Sequence, residues 1–253
     1  MSILTVENLA KSYSGFQAVK GVTFSLQAGE MLALIGPNGA GKSTCFNMIN
    51  GQVAPSAGRI RIFGRDVTGM APRDVWRLGV GRTFQIAATF GSMTVAENVQ
   101  AALLSYRRRW ADCRWAARFY RQEAHDLLAL VGMADQSTRS CGELAYGDVK
   151  RLELAIALAN DPKLLLMDEP AAGMAPSERA ALMALVTRVA RERRIGVLFT
   201  EHDMDAVFGH ADRVLVLNRG DLIAEGPPAA VRGNAEVQAV YLGAGTLFGA
   251  SHR

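Results

Sequence analysis

The fold of this chain is decided by one stretch, Met31-Leu32-Ala33-Leu34-Ile35-Gly36-Pro37-Asn38-Gly39-Ala40-Gly41-Lys42-Ser43-Thr44. Its first five residues are apolar, which is typical of a strand buried on both faces of a parallel sheet. The other nine fit the pattern G-x-x-x-x-G-K-[ST], whose glycines let backbone N–H groups converge on phosphate oxygens. We therefore expect a nucleotide at this loop, with Lys42 on the β- and γ-phosphates and Ser43 on Mg²⁺. The alternative, a chance glycine-rich turn, is expected in about one chain in a hundred of this length.

Two further apolar runs, Leu164–Met167 and Ile195–Phe199, have the same character and predict further strands of a buried parallel sheet. Helical patterns lie between the runs, at about 42–50, 94–105, 114–131, 149–159 and 177–193. Strands that alternate with helices in this way predict an α/β fold.

Near the ends of the chain the pattern changes from continuous apolar runs to alternation. Residues 1–30 and 58–64 alternate apolar and polar residues, as half-buried strands do. Val214–Leu217 and Leu222–Ala224 flank a turn-like Asn-Arg-Gly-Asp sequence and predict a hairpin. The expected architecture is thus an α/β core with antiparallel β structure at its edge and a mostly helical middle section.

The composition is that of an ordinary folded protein. Of 253 residues, 49% are hydrophobic and 21% are charged. No run reaches the roughly 18 apolar residues of a spanning helix, and the first residues lack the features of a secretory signal. We therefore expect a cytoplasmic chain whose membrane role, if any, depends on partners. A net charge of +4 is too small to argue for nucleic-acid binding, and the cysteines and histidines lack metal-ligand spacing.

Two adjacent carboxylates, Asp168 and Glu169, follow the run Leu164–Met167. Ligands of α/β sheets gather at the carboxyl ends of the strands, so this pair is expected to face the nucleotide. Asp168 would bind Mg²⁺ and Glu169 would polarise the attacking water, which typically contributes about 10²–10⁴-fold in rate. The alternative is a solvated turn.

Two other residues each allow a functional and a structural interpretation. His202 follows the third apolar run and could contact a γ-phosphate, although a lone histidine is more often structural. Cys45 lies just inside the helix after the phosphate loop. It is either a small buried packing residue or a reactive thiol, and no base that would activate it is visible in the sequence.

Taken together and in order, these motifs resemble the ATP-binding subunits of ABC transporters over nearly the whole chain. The resemblance identifies Gly36–Thr44 as the Walker A loop and Leu164–Glu169 as Walker B, with Glu169 as the catalytic glutamate. It implies that Tyr13 stacks on adenine, that Gln85 senses Mg²⁺ and the γ-phosphate, and that His202 is the switch histidine. It places the signature motif, which contacts ATP in a second subunit, at Leu144-Ala145-Tyr146-Gly147-Asp148, and the D-loop at residues 172–176.

The family fold then implied is a P-loop NTPase (RecA-like) core with an antiparallel β subdomain and a helical subdomain. Residues 1–253 would form a single ABC ATPase domain, with the helical subdomain at about 88–160 and a C-terminal extension at about 226–253. The implied cofactors are ATP and Mg²⁺, and the implied activity is ATP hydrolysis coupled to transport. A non-catalytic nucleotide-binding regulator would be expected to lack Glu169 or His202, and both are present.

The signature motif departs from the usual Leu-Ser-Gly-Gly-Gln. Ala145 replaces the serine whose hydroxyl would touch a partner's γ-phosphate, and Asp148 replaces the glutamine. In the D-loop, Ala175 stands where aspartate is usual. Asp148 is either an N-cap for a helix at 149–159, a role aspartate fills well, or one sign of a weakened signature.

The signature Leu-Ala-Tyr-Gly-Asp, with residues 79–85, 93–99 and 169–173, is similar to the branched-chain amino-acid importers of the amino acid and amide class. That resemblance implies a head-to-tail dimer with a second, different ATPase subunit, two permease subunits, and indirectly a periplasmic binding protein, with this chain on the inner face of the membrane. The permease contact would lie near Gln85 and residues 86–99. The alternative is an ABC-type ATPase not coupled to transport, which usually carries tandem cassettes or coiled-coil insertions.

One segment, residues 105–121, has six arginines interleaved with aromatic residues. An amphipathic helix with a solvated basic face is the ordinary interpretation. Contact with anionic lipid headgroups is the alternative, with each basic residue contributing about 1 kcal/mol near the surface.

Overall fold

The computed structural model describes residues 2–83, 89–107 and 120–242. Within them the strands are β1 (Ser2–Tyr13), β2 (Phe16–Gln27), β3 (Met31–Ile35), β4 (Ala57–Ile62), β5 (Arg65–Asp66), β6 (Val80–Thr83), β7 (Leu164–Asp168), β8 (Gly196–Thr200), β9 (Arg213–Asn218) and β10 (Asp221–Gly226). The helices are α1 (Lys42–Ile49), α2 (Pro72–Arg77), α3 (Val95–Arg107), α4 (Arg121–Leu130), α5 (Tyr146–Leu158), α6 (Pro176–Arg193), α7 (Met204–His210), α8 (Pro228–Arg232) and α9 (Ala235–Leu242).

A six-stranded sheet in the order β10-β9-β3-β8-β7-β6 forms the centre of the molecule. All its pairings are parallel except that of β9 with β10, the predicted hairpin at one edge. Strands β3 and β8 are buried at every residue, and β7 at every residue except Asp168. The prediction of three buried parallel strands is therefore confirmed.

Alternate residues of the central strands face two different layers. Leu32 and Leu34 of β3 pack with α1 and the second sheet, whereas Met31, Ala33 and Ile35 pack with α3 to α7. Burial of each large aliphatic side chain contributes about 1.5–3 kcal/mol. The continuous apolar run is thus explained by a sheet that is covered on both faces.

The second sheet, in the order β2-β1-β4-β5, is antiparallel. Leu4 and Val6 of β1 and Ile60 and Ile62 of β4 are buried in the same core as Phe46 of α1. The prediction of alternating, half-buried strands within residues 1–30 and 58–64 is confirmed. This sheet covers the outer side of α1 and so holds the helix that follows the phosphate loop.

The start of α5 corrects one prediction. Asp148 is not an N-cap, because the helix begins at Tyr146 and Ala145 occupies the cap position with extended backbone. Asp148 lies in the first turn, where its carboxylate accepts a hydrogen bond from Gln136 Nε2 at 3.2 Å. A negative charge there still interacts favourably with the helix dipole.

Some elements were not predicted. Helices α2 and α7 have six and seven residues, too few for a helical period to stand out, and β6 has four residues, one of them Gly81. The predicted helix at 114–131 matches α4 from residue 121, and residues 114–119 lie outside the described residues. The division of residues 1–253 into a core, a helical subdomain and a C-terminal extension stays a prediction.

Candidate functional site

The phosphate loop connects β3 to α1 as the sequence predicts. Gly41 holds the N-cap position of α1 with φ 103°, and no side chain caps the helix. The first N–H groups of α1 are therefore left for an outside acceptor, and the helix dipole adds positive potential at the same point. Gly41 also lies close to the backbone of β2, since an added Cβ would meet Ala18 O at 2.4 Å.

A cavity of about 330 Å³ opens at this loop. It is lined by the loop and helix start, by the β1–β2 hairpin and by two polar residues from the other strand ends: Tyr13, Phe16, Ala18, Asn38, Gly39, Ala40, Gly41, Lys42, Ser43, Thr44, Glu169 and His202. Most of the predicted ATP-binding residues are thus in one place. Gly36 and Pro37 are not among the lining residues, but their backbone carbonyls accept hydrogen bonds from Lys42.

Lys42 is buried, and its ammonium group is held by the loop itself. Nζ donates to Gly36 O at 2.6 Å and to Pro37 O at 3.1 Å. Burial lowers the pKa of Lys42, and the nearby carboxylates of Glu169 and Asp168 oppose that change. The amine therefore lies within electrostatic reach of both predicted acids.

The ends of β7 and β8 place the acid pair. The two strands are in register, with Asp168 opposite Thr200. Thr200 Oγ1 donates to Asp168 Oδ1 at 2.7 Å and accepts from the backbone N–H of Glu169 at 3.0 Å. One buried hydroxyl therefore fixes both the carboxylate of Asp168 and the backbone of Glu169.

Glu169 turns from the sheet towards the cavity. Its backbone is left-handed, with φ 50°, a conformation that persists in a non-glycine residue only when its surroundings hold it. Its Oε1 lies 2.7 Å from His202 Nε2. A carboxylate only accepts, so with Glu169 ionised the imidazole is the donor of this hydrogen bond. The structure therefore joins two residues that are 33 positions apart in the sequence.

Two aromatic side chains form the far wall of the cavity. Tyr13 ends β1 and Phe16 begins β2, and they are paired across the hairpin. Tyr13 is 45% exposed and Phe16 is 65% exposed. Lys11 Nζ lies 5.1 Å from the centre of the Tyr13 ring. Phe16 was missed by sequence reasoning, and a large apolar residue at a hairpin turn is the signal that could have identified it.

The signature residues lie apart from this cavity. None of residues 144–148 is among its lining residues in the described part of the chain. They precede and begin α5, and Tyr146 Oη donates to Ala172 O at 2.9 Å. The signature is thus bound to the loop that follows the acid pair of its own chain. Gln85, the remaining predicted catalytic and metal-binding residue, lies outside the described residues.

The oxygen donors at the site suit Mg²⁺ bound together with a nucleotide. Ser43 lines the cavity. Asp168, at the end of β7, lies within electrostatic reach of Lys42, the residue next to Ser43. Mg²⁺ is usually bound by one or two such oxygen ligands, substrate phosphates and water. The described residues contain no group of three or more His, Cys, Asp or Glu side chains that could hold a metal ion.

Cys45 is resolved in favour of packing. The side chain is fully buried, and burial raises the pKa of its thiol to about 12. A thiol that is protonated throughout the neutral range is a poor nucleophile, so the interpretation as a reactive thiol is wrong.

The C-terminal helix α9 also approaches the loop, a contact that sequence reasoning missed. Tyr241 is buried, which raises the pKa of its phenol, while the backbone of Gly36 opposes that change. The Tyr241 phenol therefore lies next to the backbone of Gly36. Helix α9 therefore packs behind the first residue of the phosphate loop.

Two family models match this chain. One, described as ABC transporter, covers residues 19–172, and the other, described as Branched-chain amino acid ATP-binding cassette transporter, covers residues 222–246. The chain is 36% identical to the high-affinity branched-chain amino acid transport ATP-binding protein BraF of Pseudomonas aeruginosa, across 95% of this chain and 98% of BraF. It is 35% identical to the lipopolysaccharide export system ATP-binding protein LptB of Haemophilus influenzae, across 96% and 98%.

The solved structures agree with these relatives. The ADP conformation of MJ1267, an ATP-binding cassette of an ABC transporter, matches with a TM-score of 0.85 and 31% identity, across 96% of this chain and 99% of that one. A nucleotide-free ATP-binding cassette from an ABC transporter matches with a TM-score of 0.83, at 31% identity and 95% and 98% coverage. The P-loop NTPase fold expected from the sequence is therefore confirmed. This chain belongs to the ABC transporter family, as an ATP-binding cassette that hydrolyses ATP.

Proposed function

We propose that this chain supplies the ATP-driven step of a membrane importer for branched-chain amino acids or related amides. The observation that supports it most is the convergence of the phosphate loop, Glu169 and His202 on one cavity. The similarity to BraF and the match at residues 222–246 favour an importer over an exporter of the LptB kind, because that second family model is described by branched-chain amino acids.

In the proposed complex the phosphates lie along the N-terminus of α1, and the adenine ring stacks on Tyr13. Lys42 exchanges the carbonyls of Gly36 and Pro37 for phosphate oxygens. The hydrogen bond between Glu169 and His202 holds the carboxylate at the cavity wall, where it can accept a proton from an attacking water. Ser43 and Asp168, with Gln85 by resemblance, would bind Mg²⁺, which would neutralise charge on the phosphates.

A second cassette would complete the site. The first N–H groups of α5 have no side-chain cap, so this helix can bind an anion presented by a partner, as α1 can in its own chain. In a head-to-tail dimer each nucleotide would lie between the phosphate loop of one chain and the signature of the other. Ala145 offers no hydroxyl and Asp148 adds a negative charge there, which supports pairing with a different ATPase subunit whose site tolerates a weakened signature.

The permeases would bind beside the helical middle section. Phe90 and Met93 are 59% and 37% exposed, close in sequence to Gln85. A groove of about 470 Å³ lies between α2, β6 and the ends of α3 and α5, and Arg82, three residues before Gln85, is among its lining residues. No helix in the described part of the chain is long and apolar enough to cross a membrane. By similarity to the transport ATP-binding relatives, we propose association with the membrane through two permease subunits, with a periplasmic binding protein beyond them.

A pair of substitutions tests the catalytic roles. Glu169→Gln keeps a similar shape but removes the base, so ATP should still bind while turnover falls at least about 10²-fold. Lys42→Ala should instead weaken binding of a non-hydrolysable ATP analogue. Hydrolysis by Glu169→Gln at the parental rate would exclude Glu169 as the base, and unchanged affinity in Lys42→Ala would exclude the phosphate-loop assignment.

The transport role is tested by isolating Glu169→Gln from its native membranes with ATP and identifying the proteins that accompany it by mass spectrometry. Two permease chains and a second ATPase are expected. Recovery without any membrane protein would favour the alternative of an ABC-type ATPase not coupled to transport. Recovery with export components would reject the importer.

A further inference from the structure

Four consecutive residues, 200–203, begin at the last residue of β8 and each contact the segment between Asp168 and Arg179. Thr200 binds Asp168 and the backbone of Glu169, and His202 binds the Glu169 carboxylate. Asp203 pairs with Arg179 of α6 and also caps α7. Glu201 is the fourth, and the proposed mechanism gives it no role.

Glu201 is a buried carboxylate with one well-defined acceptor role. It is 4% exposed, and its Oε1 accepts a hydrogen bond from the backbone N–H of Ala171 at 2.9 Å. Burial raises the pKa of this carboxyl, while hydrogen bonds from Ala171 and His202 and the charge of Arg179 oppose the rise. A buried acid is costly unless it is hydrogen-bonded, so an acid at this position needs a reason.

The N–H that it binds belongs to the turn that carries Glu169. Ala172 N donates to Glu169 O at 3.1 Å, which closes residues 169–172 into a turn. Glu169 begins this turn in a left-handed conformation, which the surroundings must maintain. Glu201 holds the turn from the β8 side at Ala171, and Tyr146 holds it from the α5 side at Ala172.

We infer that Glu201 is a positioning residue for hydrolysis: by fixing the turn 169–172, it keeps the Glu169 carboxylate against His202 and directed into the nucleotide cavity. This inference rests on the proposed role of Glu169 as the base. It also makes the geometry of Glu169 depend on the signature helix, because Tyr146 and Glu201 bind neighbouring residues of one short turn.

The test compares Glu201→Ala with Glu201→Gln. Glutamine keeps an oxygen that can accept from Ala171, whereas alanine leaves that buried N–H unpaired. A displacement of about 1 Å at a reacting group costs about 10²-fold in rate. We therefore expect kcat to fall about 10–100-fold in Glu201→Ala and to stay within about threefold in Glu201→Gln, while the Kd for ATP changes by less than about threefold in both.

Glu30→Ala is the matched control. The Glu30 carboxylate accepts from the backbone N–H of Gln27 at 2.7 Å and pairs with Arg213 at 2.9 Å. Its removal therefore also leaves a backbone N–H without its carboxylate acceptor, as removal of Glu201 does. Glu30 directly precedes β3 and so lies at the amino ends of the parallel strands, whereas the site lies at their carboxyl ends. We expect its kcat within about twofold of the parent at a similar loss of stability to denaturant.

The measurements use the full-length chain in the complex in which it is isolated. A double variant, Glu201→Ala with His202→Ala, should lose less than the two single losses combined, because both act through Glu169. Any one of four results would overturn the inference. These are a parental kcat in Glu201→Ala, an equal loss of kcat in Glu30→Ala, additive losses in the double variant, and a kcat in Glu201→Gln as low as that in Glu201→Ala. Glu169→Gln in parallel separates this from the proposed function: if it is inactive while Glu201→Ala is fully active, only the positioning role fails.

Discussion

Replacing Gly41 by alanine tests the phosphate loop at the point where it passes closest to another strand. At φ 103° the added Cβ would lie 2.4 Å from Ala18 O and 3.3 Å from Val19 Cγ2. A carbon and a carbonyl oxygen ordinarily approach to about 3.3 Å, so the two backbones must separate by about 0.9 Å. Gly64, in the turn between β4 and β5, provides the control away from the cavity, since its φ is 78° and an added Cβ meets nothing within 4 Å.

The two variants should therefore separate strain from displacement. Both place a Cβ in left-handed backbone, which costs about 1–2 kcal/mol of stability. Gly41→Ala adds a steric cost of about 1–3 kcal/mol and moves the N-terminus of α1. A shift of nearly 1 Å at the binding groups is expected to weaken ATP binding about 10²-fold. Gly64→Ala should bind within about tenfold of the parent, because its strain is present with and without nucleotide.

Titration with a fluorescent ATP analogue measures affinity, and urea unfolding measures the free energy of unfolding of the same preparations. The expected result is a large affinity loss in Gly41→Ala only, with stability reduced in both variants. Equal affinities in Gly41→Ala and Gly64→Ala would refute the reasoning, since they would show that the contact with Ala18 does not set the position of the loop.

Three further predictions concern buried groups at or near the site. Thr200→Val removes the hydroxyl that binds Asp168, and the free energy of unfolding should fall by about 1.5–3 kcal/mol, as for a hydrogen bond to a charged group; Thr200→Ser should recover most of it in urea unfolding. Cys45, with its thiol pKa raised to about 12, should react with iodoacetamide far more slowly in the folded chain than in urea, as read by site-resolved mass spectrometry, and equal rates would contradict its burial. Because burial raises the pKa of Glu201 in the folded state, the protonated carboxyl favours folding. The stability of the parent relative to Glu201→Gln should therefore fall as pH rises through and above the ordinary range of glutamic acid, and a difference that is constant with pH would contradict that sign.

The sequence could predict those parts of the fold that depend on patterns of neighbouring residues. The apolar run of β3 and the glycine spacing after it are both contained in one stretch, and the runs of β7 and β8 share its character. Short elements such as α2 and β6 carry too little pattern to be seen. The start of α5 was misplaced because Asp148 suits an N-cap, whereas the turn that precedes it places Ala145 there.

The contacts within the site could be predicted only in part. That Asp168, Glu169 and His202 lie at one edge of the sheet follows from the rule that parallel strands share their carboxyl ends. The contact of Glu201 with Ala171 and that of Thr200 with Asp168 depend on the register between β7 and β8, which no local pattern contains. The packing of Tyr241 behind Gly36 likewise joins segments about 200 residues apart, which only tertiary structure brings together.

The hydrogen bonds of Lys42 to Gly36 O and Pro37 O bear on how the protein lets its product go. Both carbonyls belong to the phosphate loop itself, so a nucleotide that bound Lys42 in the proposed way would compete with them for one ammonium group. The gain on binding is correspondingly smaller than that of pairing a bare buried charge. When the nucleotide leaves, the Lys42 ammonium group can return to these two carbonyls and is not left unpaired. This lowers the cost of releasing the product and so favours repeated turnover.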